Sequence, residues 1–506
     1  MSKDMDALRE ATKKFYAGES SVNKYKGLSG GYGTYAQKGA QASMVRLRFA
    51  GGRISKEDLL FIADMIDKYK VSMVHFTTCQ AVQLHNMAGN RVCDLVQDAL
   101  DHGIITLGGG GDYPRNVTAS PLSGVEKGEC FDVLPYAKAA EAYLLPLVDT
   151  LKMPRKLKVG FSNSPENETH ATFRDLGFMA KENGKFDVYS AGGLGNNPRM
   201  GLCVAKDAEP KDILYYIRAM IRTFCKNGNY ENRAKARTRY MQETLGEEGY
   251  LSAFAAELKG SFDEGGLDIK ADIRSVAKEG TGNIAGPCIY EQKQKGLYYV
   301  SYHAVGGDPF PAKIRQIYDA IKDMNDVEVR ISPDETMYII NCNSEEAAKV
   351  AEVTDDGART LFESSISCVG ATICQQGLRD SHGLLVQLVE MSRKAELPDG
   401  SLPRVHISGC TSSCGSHQIG VIGFQGSSAR NADGPVTAFT VFINGSHIAG
   451  KERFGDAVGK MSQDDIPKFL EELGRSVAAT GKDYRAWATE NTELLMTIVD
   501  KYLIKE

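Results

Sequence analysis

The stretch MVRLRFAGGRISKEDLLFIADMIDKYKVSMVHFTTCQAVQLHN, residues 44–86, opens on an alternating strand, turns at Gly51 and Gly52, becomes helix-periodic, and then alternates again through two short runs. Its order is βαββ. The same order returns in LYYVSYHAVGGDPFPAKIRQIYDAIKDMNDVEVRISPDETMYIINCN, residues 297–343, with the turn at Gly306 and Gly307 and the helix opening near Pro311. Two copies this far apart cannot stack as a solenoid, whose units must be adjacent. They imply a duplicated half-molecule instead. Each copy is followed by a long mixed α/β stretch, roughly 113–285 and 363–480. The expected fold is α+β, with two related halves packed about a pseudo-twofold axis. Halves that meet in this way leave a central cleft, a favourable place for a ligand. The expected domains are an N-terminal extension with the first ferredoxin-like half (1–107), an α/β domain (108–290), the second ferredoxin-like half (291–358), and a final domain with C-terminal helices (359–506).

Composition narrows the function classes. With 60 Lys and Arg against 65 Asp and Glu, the net charge of −5 offers no global field for nucleic acid or an anionic membrane. Any anion must be met by a local cluster. Apolar runs such as DILYYIRAMI are cut by charge well before the roughly eighteen residues a membrane span needs. The charged start, MSKDMDALREATKKFYAGES, lacks the apolar core of a secretory signal, so the expectation is a soluble cytoplasmic protein.

Eleven cysteines are too few for a disulfide scaffold in a chain of this length. Cys93, Cys130, Cys203, Cys225, Cys288 and Cys342 stand alone and read as ordinary thiols. Four others are paired. SCVGATICQQGLRDS (367–381) spaces Cys368 and Cys374 as C-x5-C, and SGCTSSCGSHQIG (408–420) spaces Cys410 and Cys414 as C-x3-C. Tetrahedral zinc would accept four cysteines, although its pairs are usually closer than x5. An iron–sulfur cube, wider than one ion, tolerates the unequal spacing. Gly370, Gly409 and Gly415 remove side chains beside these ligands, which is expected to let backbone amides approach inorganic sulfide.

SCVGATIC together with HISGCTSSCG resembles the two signature segments of the siroheme-containing nitrite and sulfite reductase family. The resemblance implies a [4Fe-4S] cluster on Cys368, Cys374, Cys410 and Cys414, with Cys414 bridging to the siroheme iron. It extends over nearly the whole chain, because the family shares the duplicated half. Under it, 108–290 becomes the first siroheme-binding domain and 359–506 the cluster and siroheme domain.

The basic residues then gain roles. GGGGDYPRNV (108–117) is on its own a glycine turn, with no P-loop or dinucleotide fingerprint after it. Similar RNV segments in the family place the arginine, here Arg115, over the iron, with Asn116 beside the cofactor. In MPRKLKVGFSNSPEN (153–167), Arg155, Lys156 and Lys158 read either as a solvated face or, if the segment is a strand, as a place where Lys156 and Lys158 share one side. The resemblance puts both lysines at the substrate. By the same similarity Arg46, Arg48, Gln80, Gln83 and His85 are candidate siroheme contacts, with Lys293 a further candidate. Arg46 and Arg48 read equally as a strand edge facing outward, and His85 as a core histidine.

Two departures stand out. Where family members carry T-x-R-Q, this chain has TTCQ, so Cys79 replaces a substrate-contacting arginine. Either anion binding weakens, another cation such as His75 substitutes, or the substrate differs; Cys79 itself is a candidate at the reacting centre. Between the last two ligands C-T-S-S-C replaces C-P-N-x-C, which bears on the hydrogen bonds that tune the cluster. The Lys-x-Lys pair places sulfite reduction to sulfide first, with nitrite reduction to ammonia as the alternative, and a non-catalytic electron carrier or redox sensor or a zinc-stabilised protein behind both. No flavin or nicotinamide fingerprint is present, so the electrons should come from a separate carrier, for which the resemblance implies a ferredoxin.

Overall fold

In the computed structural model, which describes residues 5–272, 276–431 and 434–505, the first repeat folds as the antiparallel sheet Thr34–Ala36, Ala42–Arg48, Ala81–Ala88, Met73–Phe76, in that spatial order. Helix Lys56–Tyr69 crosses from one strand to the next. It opens on a capping box between Ser55 and Asp58, worth about 1 kcal/mol, and it buries Leu59, Ile62, Ala63 and Ile66 at helical spacing. The second repeat builds the sheet Ile289–Glu291, Tyr298–Tyr302, Met337–Cys342, Glu328–Ile331 with helix Pro311–Ile321.

The two halves interlock. Arg53–Ile54, from the first repeat, pairs antiparallel with Glu328–Ile331 and becomes the edge strand of the second sheet. Helix Lys56–Tyr69 packs on helix Pro311–Ile321, and one apolar core runs through both halves. The Gly-Gly turns show why the repeat keeps them. Gly52 and Gly307 both sit at left-handed φ, 71° and 70°. A Cβ on Gly52 would stand 2.1 Å from Ile331 O, and one on Gly307 2.9 Å from Phe76 O. Each turn therefore closes against the end of the other half's strand, where no side chain fits.

The α/β stretches repeat one topology. Thr118–Ala119, Val159–Ser162 and Leu176–Ala180 run parallel and continue antiparallel into Phe186–Ser190 and Leu202–Ala208. Ile366–Ser367, Val405–Ser408 and Ile422–Asn431 run parallel and continue antiparallel into Gly434–Ile443 and Asp456–Ser462. Each sheet has its own core, covered in the first by helices Leu134–Leu144 and Ile213–Asn227 and in the second by Ser381–Lys394 and Ile466–Ala478. Among the described residues no helix is long and apolar enough to cross a membrane.

Candidate functional site

The four paired cysteines come from the carboxyl ends of adjacent parallel strands. Ile366 lies opposite His406, so Cys368 and the loop carrying Cys410 and Cys414 leave the sheet side by side. Cys368 Sγ accepts from Gly409 N at 3.2 Å, and Cys374 Sγ accepts from Gln376 N at 3.4 Å. Burial raises the Cys414 and Cys368 thiols; nearby Cys374 and Cys410 add to the rise at Cys414, and Cys414 adds to the rise at Cys368. No group of three or more His, Cys, Asp or Glu among the described residues closes on a single ion. Separate but mutually interacting thiols suit the corners of a cluster better than a zinc site. Cys414 has accessible surface, yet protein surrounds it; the surface faces an internal cleft rather than bulk solvent.

The glycines beside these ligands act differently from the expectation. A Cβ on Gly409 would stand 2.5 Å from Arg379 O, and one on Gly415 2.1 Å from Ile407 O. The room they leave is filled by the protein's own backbone, so they set how tightly the two ligand loops fold, while Gly409 N donates to a ligand sulfur.

Lys156 and Lys158 do lie on one side of an extended segment. Leu157, between them, is fully buried in the domain core and bridges to Pro114, while both lysines are half-buried on the opposite face. Arg115 N donates to Leu157 O at 2.8 Å, which sets Arg115 next to the pair. Asp175, which no motif marks in the sequence, anchors this corner: its carboxylate accepts from Lys158 N at 2.8 Å, from Arg237 Nη2 at 2.9 Å and from Thr238 Oγ1. Burial, followed by repulsion from Arg237, Lys158 and Arg115, holds Lys156 well below the ordinary lysine range, with the Cys414 side opposing.

Cys79 closes the cleft from the first half. It sits in the Thr77–Gln80 hairpin, which Asn116 Nδ2 holds through Cys79 O at 2.9 Å and Gln80 O at 3.0 Å, and Thr78 Oγ1 donates to Cys414 O at 3.1 Å. The hairpin is thus tied directly to the cluster loop. Burial opposes ionisation of Cys79, but Lys158, Arg174 and Lys156 more than offset it and pull the thiol down to about 6.

The glycine loop 108–111 aims carbonyls, not amides, at the site. Gly109 O accepts from both Arg46 Nη1 and Arg115 Nη1, and Gly111 O accepts from Arg115 Nη2 at 2.8 Å. It is a cradle for guanidinium groups and not for phosphate. Tyr35, another residue without a sequence motif, joins them; burial acts against its ionisation, but Arg115 and Arg46 lower it overall. Burial, followed by Arg46 and Arg48 against the pull of Tyr35, brings Arg115 down to about 10. The Gln83 amide, with its oxygen toward Arg46 and nitrogen toward His85 Nε2 at 2.8 Å, links these two, and burial with His75 and Arg46 drops His85 to about 3, so it is neutral.

Three candidate cofactor contacts are engaged elsewhere. Arg48 donates to Leu107 O at 2.7 Å and pairs with Glu141 at 2.7 Å, both side chains buried, because its position on the strand meets that helix. Gln80 is fully buried, its amide shared among Gly51 O, Ala119 O, Ile331 O and Ala119 N, where it locks the two halves together. Lys293 is exposed and pairs with Glu129 across two surface loops, so its ammonium has no place in the cleft. His75, the expected substitute cation, is tied to Asp308 at 2.6 Å.

The remaining donors can be tested against siroheme. Arg115 Nε, Arg237 Nε and Arg239 Nη1 are buried without a hydrogen-bond partner, as is His85 Nδ1. Arg239 lies in a corner where the 193–199 loop meets the cluster loop, within about 4 Å of where a Gly195 Cβ would touch Thr411 O and Ser412 O. Each orphaned buried donor costs about 1–3 kcal/mol, a cost an anionic ligand removes. Siroheme, with its rim of carboxylates, fits this donor set.

The comparisons agree with that chemistry. Residues 35–102 match the model of the nitrite/sulfite reductase ferredoxin-like half domain, and residues 110–262 match the nitrite and sulphite reductase 4Fe-4S domain. The cysteines lie beyond the second match, in its structural repeat. A ferredoxin–nitrite reductase of Synechococcus elongatus is 24% identical over 454 residues, covering 85% of each chain, and an assimilatory ferredoxin-dependent nitrite reductase of Haloferax mediterranei is 23% identical, covering 90% of this chain and 83% of its own. The Mycobacterium tuberculosis NirA structure superposes with a TM-score of 0.80 at 22% identity, over 94% of this chain and 91% of that one, and so shares the fold. With the duplicated fold, the four converging thiols and the arginine-rich cleft in place, the chain is an oxidoreductase that carries the ferredoxin-like half domain and the 4Fe-4S domain of nitrite and sulfite reductases, with siroheme and a [4Fe-4S] cluster as its cofactors.

Proposed function

We propose that this chain reduces nitrite to ammonia with six electrons delivered by a ferredoxin-type carrier. The observation that carries the reading is the convergence of Arg115, Lys156 and Lys158 on the buried cleft that Cys414 faces. Cations there suit a small oxyanion whose oxygens leave as water. The Lys-x-Lys pair alone favours sulfite; the relatives, named as ferredoxin-dependent nitrite reductases and matched along most of their length, move the balance to nitrite.

In this reading Cys368, Cys374, Cys410 and Cys414 hold the cluster, and Arg46, steadied by Gly109 O, holds a siroheme carboxylate, with Gln83 and neutral His85 behind it. When bound, siroheme coupled to the cluster supplies a Lewis-acidic iron and single electrons. Arg115 and Lys158 bind and orient the anion, its oxygens toward their donors. Lys156, behind them and short of carboxylate partners, holds a proton on Nζ within reach of a departing oxygen. Asp175 keeps Lys158 and Arg237 in place. The hairpin and the cluster loop, joined through Thr78, exclude bulk water from the same side.

Anaerobic turnover of fully loaded protein with reduced methyl viologen and nitrite tests the reading. Ammonia as the product, with six viologens oxidised per nitrite, is expected; nitric oxide as the product, or no product, contradicts it.

A further inference from the structure

Cys79 leaves a gap in the cationic lining, and the structure fills it from another element. Arg174 leaves the short turn Ala171–Phe173 at the entry to strand Leu176–Ala180, and it is 8% exposed. Its Nε is fixed by Thr169 O at 2.5 Å, and its own carbonyl by Gly192 N at 2.8 Å. The terminal guanidinium nitrogens make no hydrogen bond to an oxygen of the described residues, and they turn toward the Cys79 thiol, on which Lys158 also bears. Neighbouring guanidinium groups differ. Arg237 is paired with Asp175 at 2.9 Å and Arg155 with Asp112 at 2.6 Å. Neither Arg174 nor Lys158 has a carboxylate within ion-pair distance among the described residues. Like Arg115 and Lys156, they line this wall without a carboxylate partner among the described residues, and the Cys79 thiol is the acidic group set against them.

We propose that Arg174 is a second substrate-binding guanidinium of this pocket beside Arg115, supplied by the α/β domain in place of the residue that Cys79 replaces on the hairpin, and that it and Lys158 together set the affinity for the oxyanion. The proposal rests on the reading of the cleft as a nitrite or sulfite site. The small Cys79 side chain is part of the arrangement: an arginine in both places would crowd two like charges into one corner, whereas a thiol leaves room for the planar fork of Arg174 to reach across. Fixing Nε from behind leaves two parallel N–H groups aimed forward, the geometry that a bent or pyramidal oxyanion accepts in bidentate fashion.

The test is an optical titration of oxidised holoenzyme with nitrite and, separately, with sulfite, read as Kd, alongside siroheme and iron content. The wild type is compared with Arg174→Gln, Arg174→Lys and the exchange variant Cys79→Arg/Arg174→Asn. We expect Arg174→Gln to weaken binding at least tenfold at unchanged cofactor content, Arg174→Lys to weaken it less, and the exchange variant to recover most of the loss, with KM rising more than kcat falls. Arg174→Gln binding both anions within twofold of the wild type overturns the proposal. If Arg174→Gln loses siroheme, the exchange variant decides: loaded and binding supports the proposal, loaded and non-binding overturns it. A wild type that prefers sulfite contradicts the nitrite reading while leaving the Arg174 comparison intact.

Discussion

Gln80 and Glu335 occupy the same hairpin position in the two halves, each at left-handed φ, 55° and 69°, and each reaching to the first strand of the neighbouring α/β sheet. Gln80 Oε1 accepts from Ala119 N at 2.9 Å, and Glu335 Oε2 accepts from Ser367 N at 3.3 Å. An amide in one half is matched by a carboxyl in the other. Burial, followed by repulsion from Asp308, raises Glu335 well above the carboxylate range, which favours the neutral acid that imitates Gln80.

That match makes Glu335→Gln a stabilising substitution with a defined pH dependence. A raised folded-state pKa gives a contribution that is fully present below the unfolded value, roughly pH 4.3, and is lost as pH rises toward the folded value, by at most about 1.4 kcal/mol per pH unit. The variant cannot ionise, so its thermal midpoint should equal the wild type's near pH 4 and rise above it increasingly toward pH 8, the gap in stability growing by at most about 1.4 kcal/mol per pH unit. Equal midpoints at both values contradict the neutral-acid assignment.

Cys79, pulled down to about 6, is a thiolate at pH 8 and cancels one positive charge beside Lys158 and Arg174. Nitrite should then bind more tightly to the wild type as pH falls through about 6. Cys79→Ser, uncharged throughout, should bind up to roughly tenfold more tightly at pH 8 and show no such step. Optical titrations at pH 5.5 and 8 measure both, and a wild type with pH-independent Kd rules the thiolate out.

Two ion pairs whose basic partners both read as cofactor contacts by sequence should differ in cost. Glu141→Ala strands buried Arg48 and frees Val117 N, and should cost about 3–5 kcal/mol in urea unfolding. Lys293→Ala removes a half-exposed ammonium and leaves the buried Glu129 carboxylate to its remaining donors, Gly124 N and Asn163 Nδ2, so it should cost less, about 1 kcal/mol, with siroheme content unchanged. A fall in siroheme content on Lys293→Ala would return that residue to the cofactor site.

Cys374→Ser should reduce non-haem iron and acid-labile sulfide several-fold, and Cys342→Ala, at a core thiol in strand Met337–Cys342, should not. The contrast is read by iron and sulfide analysis of purified protein. Equal iron in both variants contradicts the cluster assignment.

Much of the fold and site is legible in the chain because local rules carry it. The Gly-Gly turns and the change from period two to helical spacing disclose the duplication, and the cysteine spacing discloses the cluster. Leu157 between two lysines is a strand's alternation, written in three consecutive residues. What stays hidden depends on distant partners. Arg46 and Arg48 are identical by pattern, yet one meets Gly109 O and Gln83 and the other meets Glu141, a helix away. The edge strand Arg53–Ile54 is two residues long and has no signal of its own, since its partner lies in the other repeat. Arg174 and Asp175 sit in HATFRDLGF without motif or charge run, and only the turn before strand Leu176–Ala180 brings them to the cleft.

The cations facing Cys414 are proposed to serve nitrite reduction. Its most direct measurement is kcat/KM for nitrite and for sulfite in parallel, anaerobically, with reduced ferredoxin or methyl viologen and protein of known siroheme and iron content. A value for nitrite at least tenfold above that for sulfite, with ammonia as the product, is the predicted result. Sulfide formed at the higher kcat/KM would contradict it.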